Sequence, residues 1–355
     1  MKNKLVSLLL TATLLLLMTA VTAYPEPIKE PVKVGITQIA ANPGIDAIRK
    51  GFLSQMKIMG YEENVNIKYI QTNAQGDNSA AQSIAKSYVN EKVDLIFSIT
   101  TPSSQMCAQA IKGTNIPLIF GAVTDPVAAG LVKSLEKPEF NITGTSDKWP
   151  VEAQFDLLLR LVPGVKTIGI IYNPGETNSE SNMKEVEAVC AKKNLKIVRV
   201  AVSNTSEVYS AAVSLVGRCD AIYVPADNTV ISSMESIVKV SEKNKIPLLP
   251  GVSSGVAIGG FGTIGPDYFD IGVESAKLAD MVIKGKNAGE IPVATAKKYE
   301  FYFNLKSAEL TGVTIPDELL KKAAKVYGDI EPAKAAAKKS SREYEKAAEK
   351  SIRLK

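Results

Sequence analysis

The chain has 355 residues, a formal net charge of +5, three cysteines and no histidine. The absence of histidine excludes histidine-based catalytic triads, histidine general bases and histidine-ligated metal sites. The positive charge is modest and comes largely from the end of the chain, so the rest lacks the charge pattern of a nucleic-acid-binding protein. The length suits two domains of ordinary size, and we expect no metal and no cofactor.

Residues 1–23 are typical of a secretory signal peptide. A basic start is followed by an apolar run over residues 5–18, and Val21-Thr22-Ala23 supplies the small residues of a cleavage site. The apolar run is shorter than the ~20 residues that a membrane span needs. We therefore expect cleavage after Ala23 and a periplasmic protein, although a secreted product would begin in the same way. No cysteine follows the run, so the sequence predicts no lipoprotein anchor.

The first half of the remaining chain alternates apolar strands with amphipathic helices. Pro43 opens a helix in which Ile45, Ile48, Phe52 and Met56 recur at helical spacing. Strands separated by helices of this length form a parallel sheet that is covered on both faces. We predict strands at residues 32–39, 65–71, 93–99 and 118–123.

The second half repeats this order about 130 residues later. Asn42-Pro43-Gly44 in the first half corresponds to Asn173-Pro174-Gly175 in the second. The repeat predicts an α/β fold in which two similar lobes, each with a parallel sheet, face each other across a cleft. In this half we predict strands at residues 167–172, 196–202, 221–224 and 248–252, and helices at roughly 178–193, 206–216 and 230–244.

Three segments are expected to cross between the lobes, near residues 145, 260 and 298, and to form a hinge that permits opening and closing. The first lobe would comprise residues 32–145 and about 262–297, and the second would comprise residues 146–260 and about 298–327. Residues 328–355 are rich in Ala, Lys, Glu and Ser, and they are predicted to form a charged C-terminal tail outside the fold.

The residues that follow the predicted strands are strongly polar, and open α/β sheets bind their ligands at the carboxyl ends of the strands. Hydroxyls and free N–H groups at a helix start, as at Thr100 and Thr101, form a neutral site for a carboxylate. Asp125 and Asp227 are the acids available to a protonated amine, so the set suits an amino acid. The candidate ligand-binding residues are Thr37, Gln38, Asn42, Thr100, Thr101, Ser104, Gln105, Thr124, Asp125, Asn173, Asn178, Ser179, Asp227, Asn228 and Ser253.

Each of these residues, taken alone, is also an ordinary helix N-cap or turn residue. The feature that favours a ligand site is that both lobes are polar at equivalent strand ends. Trp149, the only tryptophan, either flanks the cleft or packs in the hinge. Cys190 and Cys219 either form a disulfide or are buried free thiols, and Cys107 is left over in both cases.

Three runs carry a resemblance to a known family: residues 124–132 (TDPVAAGLV), 172–179 (YNPGETNS) and 223–230 (YVPADNTV). With them, residues 32–327 resemble the ABC-transporter substrate-binding family that includes tryptophan- and other aromatic-amino-acid-binding proteins. The resemblance implies a type I periplasmic-binding-protein fold with two Rossmann-like lobes, and delivery of a small ligand to a membrane permease and its ATPase. It also implies ligand contacts at Thr100, Thr101 and Ser104, and around Thr124-Asp125, Asn178-Ser179 and Asp227-Asn228.

The interpretation that unites these features is a monomeric periplasmic receptor that closes its lobes on a small ligand, with an aromatic amino acid favoured, and presents it to a transporter. The same fold can also serve as the ligand-binding input of a chemosensory or kinase sensor, and the sequence does not separate these two roles. An enzyme on this architecture would need paired cysteines or an acid–base pair at the cleft, and Cys107 has no counterpart in the second half. The exported start and the missing DNA-binding helices argue against a repressor.

Overall fold

A computed structural model describes residues 30–328. The predicted signal peptide, and the predicted tail after residue 328, lie outside the described residues. Among the described residues, no helix is long and apolar enough to cross a membrane.

The strands are β1 (Val32–Gln38), β2 (Ile67–Asn73), β3 (Leu95–Ile99), β4 (Leu118–Gly121), β5 (Ile142–Ser146), β6 (Thr167–Tyr172), β7 (Lys196–Ala201), β8 (Ala221–Val224), β9 (Leu248–Pro250), β10 (Gly262–Gly265), β11 (Ala294–Thr295), β12 (Glu300–Asn304) and β13 (Ala323–Tyr327). The α-helices are α1 (Pro43–Ile58), α2 (Asn78–Asn90), α3 (Thr101–Ala110), α4 (Val151–Leu161), α5 (Thr177–Lys192), α6 (Val208–Ser214), α7 (Asn228–Ser232), α8 (Met234–Asn244), α9 (Ser253–Ile258), α10 (Tyr268–Ile283), α11 (Leu305–Thr311) and α12 (Asp317–Leu320).

Lobe 1 is built on a sheet that, within residues 30–328, has six parallel strands in the order β11-β5-β4-β3-β1-β2. The central strand β3 is buried along its whole length, as its apolar sequence predicts. Apolar side chains cover both faces of the sheet. The sequence analysis does not predict β5, because its residues, ITGTS, carry little apolar pattern. This strand ends at the hinge.

Helix α10 follows strand β10 of lobe 2 in the chain but packs against helix α1 in lobe 1. The two backbones meet at a pair of glycines. A Cβ added to Gly51 would lie 2.1 Å from the carbonyl oxygen of Phe269, and one added to Gly272 would lie 1.9 Å from that of Ile48. Any side chain at either position would push the helices apart, so glycine is required for this close approach.

Lobe 2 has a parallel sheet in the order β7-β6-β8-β9. A second sheet, β10-β12-β13, continues it through a hydrogen bond of 2.9 Å from the Phe261 N–H to the Leu248 carbonyl oxygen. The chain returns to lobe 1 later than the expected residue 262, because β10 pairs antiparallel with β12 and so belongs to lobe 2. The return comes with α10. The helix predicted at residues 230–244 is also divided, with α7 ending and α8 beginning on either side of Ser233.

Within the described residues, three short segments connect the lobes: 147–150, 266–267 and 296–299. The indole of Trp149 packs on Gly265, where an added Cβ would lie 1.8 Å from the ring. The edge of this indole also meets the ring of Tyr268, with centroids 5.5 Å apart and an interplanar angle of 81°. The hydroxyl of Tyr299 donates a hydrogen bond of 3.1 Å to the Lys148 carbonyl oxygen. Of its two possible roles, Trp149 therefore takes that of hinge packing, and the three segments are fastened to one another.

All three cysteines are free thiols. Cys190 packs in the apolar cluster that contains Tyr223, whereas Cys219 packs against the cluster that contains Ile222. Consecutive residues of a strand point to opposite faces of the sheet, so β8 lies between the two cysteines and they form no disulfide. Burial raises the pKa of Cys107 to about 12 and those of Cys190 and Cys219 to about 11, so the thiols are neutral at physiological pH.

Candidate ligand-binding site

A cavity lies between the lobes at the carboxyl ends of the parallel strands. Its lining atoms surround about 400 Å³ of empty space, part of which is open to solvent. The residues that line it are Asn42, Ile45, Ile48, Thr100, Thr101, Ala122, Thr124, Asp147, Asn178, Ala226, Asp227, Asn228, Ile231, Val252, Ser254 and Tyr268.

The start of helix α3 forms part of the lobe 1 wall. The hydroxyls of Thr100 and Thr101 are buried and have no hydrogen-bond partner among the described residues. Thr100 has a φ of +75°, a conformation that costs a residue with a side chain of order 1–3 kcal/mol and that accumulates at functional sites. Its backbone is held by a hydrogen bond of 2.8 Å to the Gly121 carbonyl oxygen. Unpartnered hydroxyls at a helix N-terminus form a site for a carboxylate without any positive side chain.

Asp147 lines the cavity from the hinge. The residue is 3% exposed, and its carboxylate accepts hydrogen bonds from Thr124 Oγ1 at 3.1 Å, Trp149 Nε1 at 3.2 Å and the Tyr268 hydroxyl at 3.1 Å. Burial raises the pKa of Asp147, although these donors lower it. A buried carboxylate held only by neutral donors is a suitable partner for a protonated amine.

Asp227 lines the cavity from lobe 2, and its carboxylate is also held by neutral donors. It accepts hydrogen bonds from the backbone N–H of Asn173 at 2.5 Å, from Ser179 Oγ at 2.7 Å and from the Val230 N–H at 2.9 Å. Burial, and then the nearby charge of Glu176, raise the pKa of Asp227. Both acids of the cavity wall are therefore costly to ionise, and a bound cation would relieve that cost.

No positive side chain balances these acids inside the cavity. Among the described residues that line it, none is a lysine or an arginine. A molecule that carries an ammonium group, a carboxylate and an apolar body would match the acids, the neutral donors and the remaining apolar wall. That wall consists of Ile45, Ile48, Ala122, Ala226, Ile231 and Val252.

The lobes touch beside the cavity. Nε2 of Gln105 in lobe 1 donates a hydrogen bond of 3.3 Å to Oγ1 of Thr177 in lobe 2. A Cβ added to Gly44 of lobe 1 would lie 2.5 Å from the ring of Tyr268 and 2.9 Å from Oγ of Ser254 in lobe 2. These contacts define a closed conformation.

The structure brings about half of the residues predicted from sequence into the cavity wall. Asn42 lines the cavity and also caps helix α1, because its Oδ1 accepts hydrogen bonds from the N–H groups of Gly44 and Ile45 at 3.0 Å. The predicted residues that line the cavity are Asn42, Thr100, Thr101, Thr124, Asn178, Asp227 and Asn228. Those that lie outside its wall are Thr37, Gln38, Ser104, Gln105, Asp125, Asn173, Ser179 and Ser253.

Some of the residues outside the wall support it. Ser104 Oγ donates to the Thr100 carbonyl oxygen at 2.7 Å, and Ser179 and Asn173 both hold the carboxylate of Asp227. Three further residues outside the wall, Gln38, Thr37 and Ser253, lie in other surroundings. The side-chain amide of Gln38 donates to the Ala40 carbonyl oxygen at 3.0 Å, Thr37 is buried in β1 and Ser253 begins α9.

Asp125 is the predicted acid that lies outside the cavity wall. Its carboxylate accepts the N–H of Ala128 at 2.9 Å and so completes a local turn outside the cavity wall. Asp147 supplies the second acid in its place. Ser254 and Tyr268 also line the cavity, although neither is among the candidate ligand-binding residues chosen from the sequence. The signal that could have found Asp147 is the strand directly before it, β5, and this strand is not predicted from the sequence.

The model of the ABC transporter substrate-binding protein family matches residues 33–327. The chain belongs to this family. Its members are binding proteins rather than enzymes, and they bind a small ligand for an ABC transporter. The family assignment made from the sequence is therefore confirmed.

The relatives include proteins of known ligand. A tyrosine-binding protein of Clostridioides difficile (strain R20291) is 42% identical over 276 residues, which are 78% of this chain and 79% of the relative. The structure of the ABC domain from Streptococcus pneumonia in complex with L-Trp gives a TM-score of 0.80 at 35% identity, covering 83% of this chain and 99% of that chain. A ligand-free, open structure of a substrate-binding protein with adhesive properties from Clostridium difficile gives a TM-score of 0.64 at 36% identity. It covers 84% of this chain and 99% of that chain. The predicted type I periplasmic-binding-protein fold is confirmed, and this chain superposes better on the ligand complex than on the open form.

Proposed function

We propose that this protein is the extracytoplasmic receptor of an ABC importer for an aromatic amino acid, and that its lobes close on that ligand. The observation that carries the proposal is the combination of two features in one cavity. One is the buried carboxylate of Asp147, which no positive side chain among the described lining residues balances. The other is the pair of unpartnered hydroxyls at Thr100 and Thr101. Together these groups complement the two charges of a zwitterion.

Each charge of the ligand has a physical reason to occupy its place. The carboxylate would accept from the two threonine hydroxyls at the start of α3, where the helix dipole adds roughly 0.3–1 kcal/mol of attraction. The ammonium would donate to Asp147, and a hydrogen bond to a charged group contributes about 1.5–3 kcal/mol. Burial of both contacts on closure strengthens them further.

The apolar part of the wall supports an aromatic side chain. Ile45 and Ile48 from lobe 1 and Ile231 and Val252 from lobe 2 give the cavity an apolar wall, and ligand sites place apolar groups against such walls. The tyrosine-binding relative and the L-Trp complex support the same ligand class.

The membership of the family supports a permease and its ATPase as partners. Residues 1–23 have the pattern of a signal peptide, so the receptor would act in the periplasm, as a monomer, after cleavage behind Ala23.

Titration calorimetry of residues 24–355 with L-tyrosine, L-tryptophan, L-phenylalanine and L-leucine tests the proposal. We expect saturable one-to-one binding of an aromatic amino acid, which is recovered chemically unchanged. A ligand at a hundredfold excess over Kd stabilises the folded state by about 2.7 kcal/mol, so a thermal-shift assay should agree. Failure of all the aromatic amino acids to bind would overturn the proposal.

A pair of matched variants tests the role of Asp147. Asp147→Asn keeps the shape of the side chain and removes its charge, and we expect Kd to rise about a hundredfold, in line with the loss of one partner of a buried charge pair. Asp125→Asn makes the same change outside the cavity wall and should bind like the wild type. Equal binding by both variants would remove Asp147 from the site.

A further inference from the structure

Asn178, in the first turn of helix α5, lines the cavity from lobe 2. The residue is 4% exposed, and its side-chain carbonyl oxygen, Oδ1, has no hydrogen-bond partner among the described residues. Leaving a buried acceptor unpaired destabilises a protein, and native structures contain few such atoms. An unpaired acceptor in a cavity wall therefore points to a ligand that supplies the missing donor.

The orientation of this amide follows from its hydrogen bonds, although the two ends of an asparagine side chain have similar shapes. Nδ2 donates to Glu176 Oε2 at 3.0 Å and to the Ala226 carbonyl oxygen at 2.7 Å. Both partners are acceptors only, so these bonds use both hydrogens of the amide nitrogen. A flipped amide would lose both bonds and set Oδ1 against two acceptor oxygens. The oxygen is therefore the end that is left for the ligand.

Glu176 is the group that fixes this orientation. The residue is 8% exposed and directly precedes helix α5. Its Oε2 also accepts from the backbone N–H of Asn228 at 3.0 Å and from Asn228 Nδ2 at 2.6 Å. Its Oε1 accepts from the backbone N–H and the hydroxyl of Thr229, at 2.8 and 2.7 Å. Because Asn178 and Asn228 both line the cavity, a single carboxylate engages the amino groups of two amides in its wall.

We propose that Asn178 is a specificity-determining residue whose carbonyl oxygen selects ligands with an N–H or O–H donor at that point, and that Glu176 is the positioning residue that keeps this oxygen turned to the ligand. The inference rests on the proposed function. A ligand without such a donor leaves Oδ1 unpaired in the closed cavity, and sites of this kind reject the analogue that lacks the donor. The donor is either the ammonium group of an amino acid or a hydroxyl on its ring.

The test uses Asn178→Leu, which keeps the size of the side chain and removes the acceptor. Asn182→Leu is the matched control, because Asn182 lies one turn further along the same helix, is 2% exposed and is outside the cavity wall. Kd is measured by calorimetry for L-tyrosine, L-phenylalanine and des-amino tyrosine, which retains the ring hydroxyl but has no ammonium group. Thermal unfolding of each unliganded variant checks that it folds.

The pattern across the three ligands decides the outcome. If Oδ1 accepts from the ammonium, Asn178→Leu weakens tyrosine and phenylalanine by about tenfold or more and leaves des-amino tyrosine unchanged. If it accepts from the ring hydroxyl, the variant weakens tyrosine and des-amino tyrosine but not phenylalanine. Unchanged binding, equal weakening of all three, or the same pattern in Asn182→Leu would overturn the proposal. If the wild type binds none of L-tyrosine, L-phenylalanine and L-tryptophan, the proposed function itself fails.

Glu176→Gln tests the positioning role by a ratio that a general loss of stability would not change. A glutamine amide can offer Asn178 a donor as well as an acceptor, so the Asn178 side chain becomes free to turn. The Kd of a ligand that lacks the selected donor, divided by the Kd of a ligand that has it, measures the selection. We expect this ratio to fall about tenfold, closer to one. An unchanged ratio would show that Glu176 does not set the orientation.

Discussion

Nε2 of Gln105 in lobe 1 lies 3.3 Å from Oγ1 of Thr177 in lobe 2 and donates a hydrogen bond to it. The same nitrogen also bonds the carbonyl oxygen of Ala129 at 3.1 Å, which holds the glutamine side chain in place. Gln105 belongs to α3 and Thr177 begins α5, the two helices whose first turns bring Thr101 and Asn178 to the cavity. The bond therefore fastens the lobes together at two helices that line the cavity.

Gln105→Leu should favour opening without altering the cavity wall. We expect L-tyrosine to dissociate about two- to tenfold faster, because one neutral hydrogen bond contributes about 0.5–1.5 kcal/mol, and to associate at nearly the wild-type rate. Stopped-flow kinetics measures both rates. Thr177→Val removes the same bond from the other lobe, so the double variant should be no weaker than the weaker single variant. Additive losses would contradict a direct bond between the two.

Thr101→Val should separate binding from stability. The Thr101 hydroxyl is buried and has no partner among the described residues, so its removal costs the unliganded protein no hydrogen bond. We expect an unchanged or slightly raised Tm and a Kd for L-tyrosine raised about tenfold, from the lost bond to the ligand carboxylate. Thr72→Val is the control, because its hydroxyl lies 2.6 Å from that of Tyr88 and is outside the cavity wall. That control should lose stability and keep its affinity. A lowered Tm and an unchanged Kd in Thr101→Val would show that Thr101 is not part of the carboxylate site.

The stability of the unliganded protein should depend on pH through the two acids of the cavity. Burial raises the pKa of both Asp147 and Asp227. A carboxyl whose folded pKa lies above its unfolded value of about 3.9 contributes stability that is fully present below that value and is lost as pH rises through the folded pKa. The groups that face Asp147 are the neutral donors Thr124, Trp149 and Tyr268. The charge that acts on Asp227 is that of Glu176, which has the same sign.

We therefore expect the Tm of the unliganded wild type to fall as pH rises from about 4 towards neutrality, relative to that of Asp147→Asn. The ammonium of L-tyrosine should reverse the loss in the wild type and not in the variant. Calorimetry in buffers of different ionisation enthalpy should then detect protons released on binding. Parallel pH profiles for the two proteins, with no proton release, would show that Asp147 carries no such cost.

The strands and helices of both lobes follow largely from apolar periodicity, which placed β3 and β8 within two residues of their observed bounds. Periodicity fails where contacts between distant segments decide the structure. Apart from Ile142, β5 consists of small and polar residues, and it becomes a strand because it pairs with β4. Since β5 was not predicted, the residue that follows it, Asp147, did not appear among the strand-end residues.

Within the site, the sequence predicts which loops meet but not which side chain in a loop points inward. Asp125 and Asp147 follow neighbouring strands, yet Asp125 turns back to cap its own loop. Ser253 and Ser254 are adjacent in α9, and only the second reaches the wall. Tyr268 begins a helix that rejoins lobe 1 after the first ten strands of the fold, and no local pattern reveals its contact with the hinge.

Because Gly51 and Gly272 bring α10 directly against α1, the core of lobe 1 stays incomplete until residues near the end of the fold have been synthesised. The sheets of lobe 2 also take β12 and β13, which come later still. Neither lobe can finish folding until most of the chain has left the ribosome, and contacts between residues so distant in sequence slow the folding of each lobe. The polypeptide therefore remains incompletely folded until its synthesis is nearly complete.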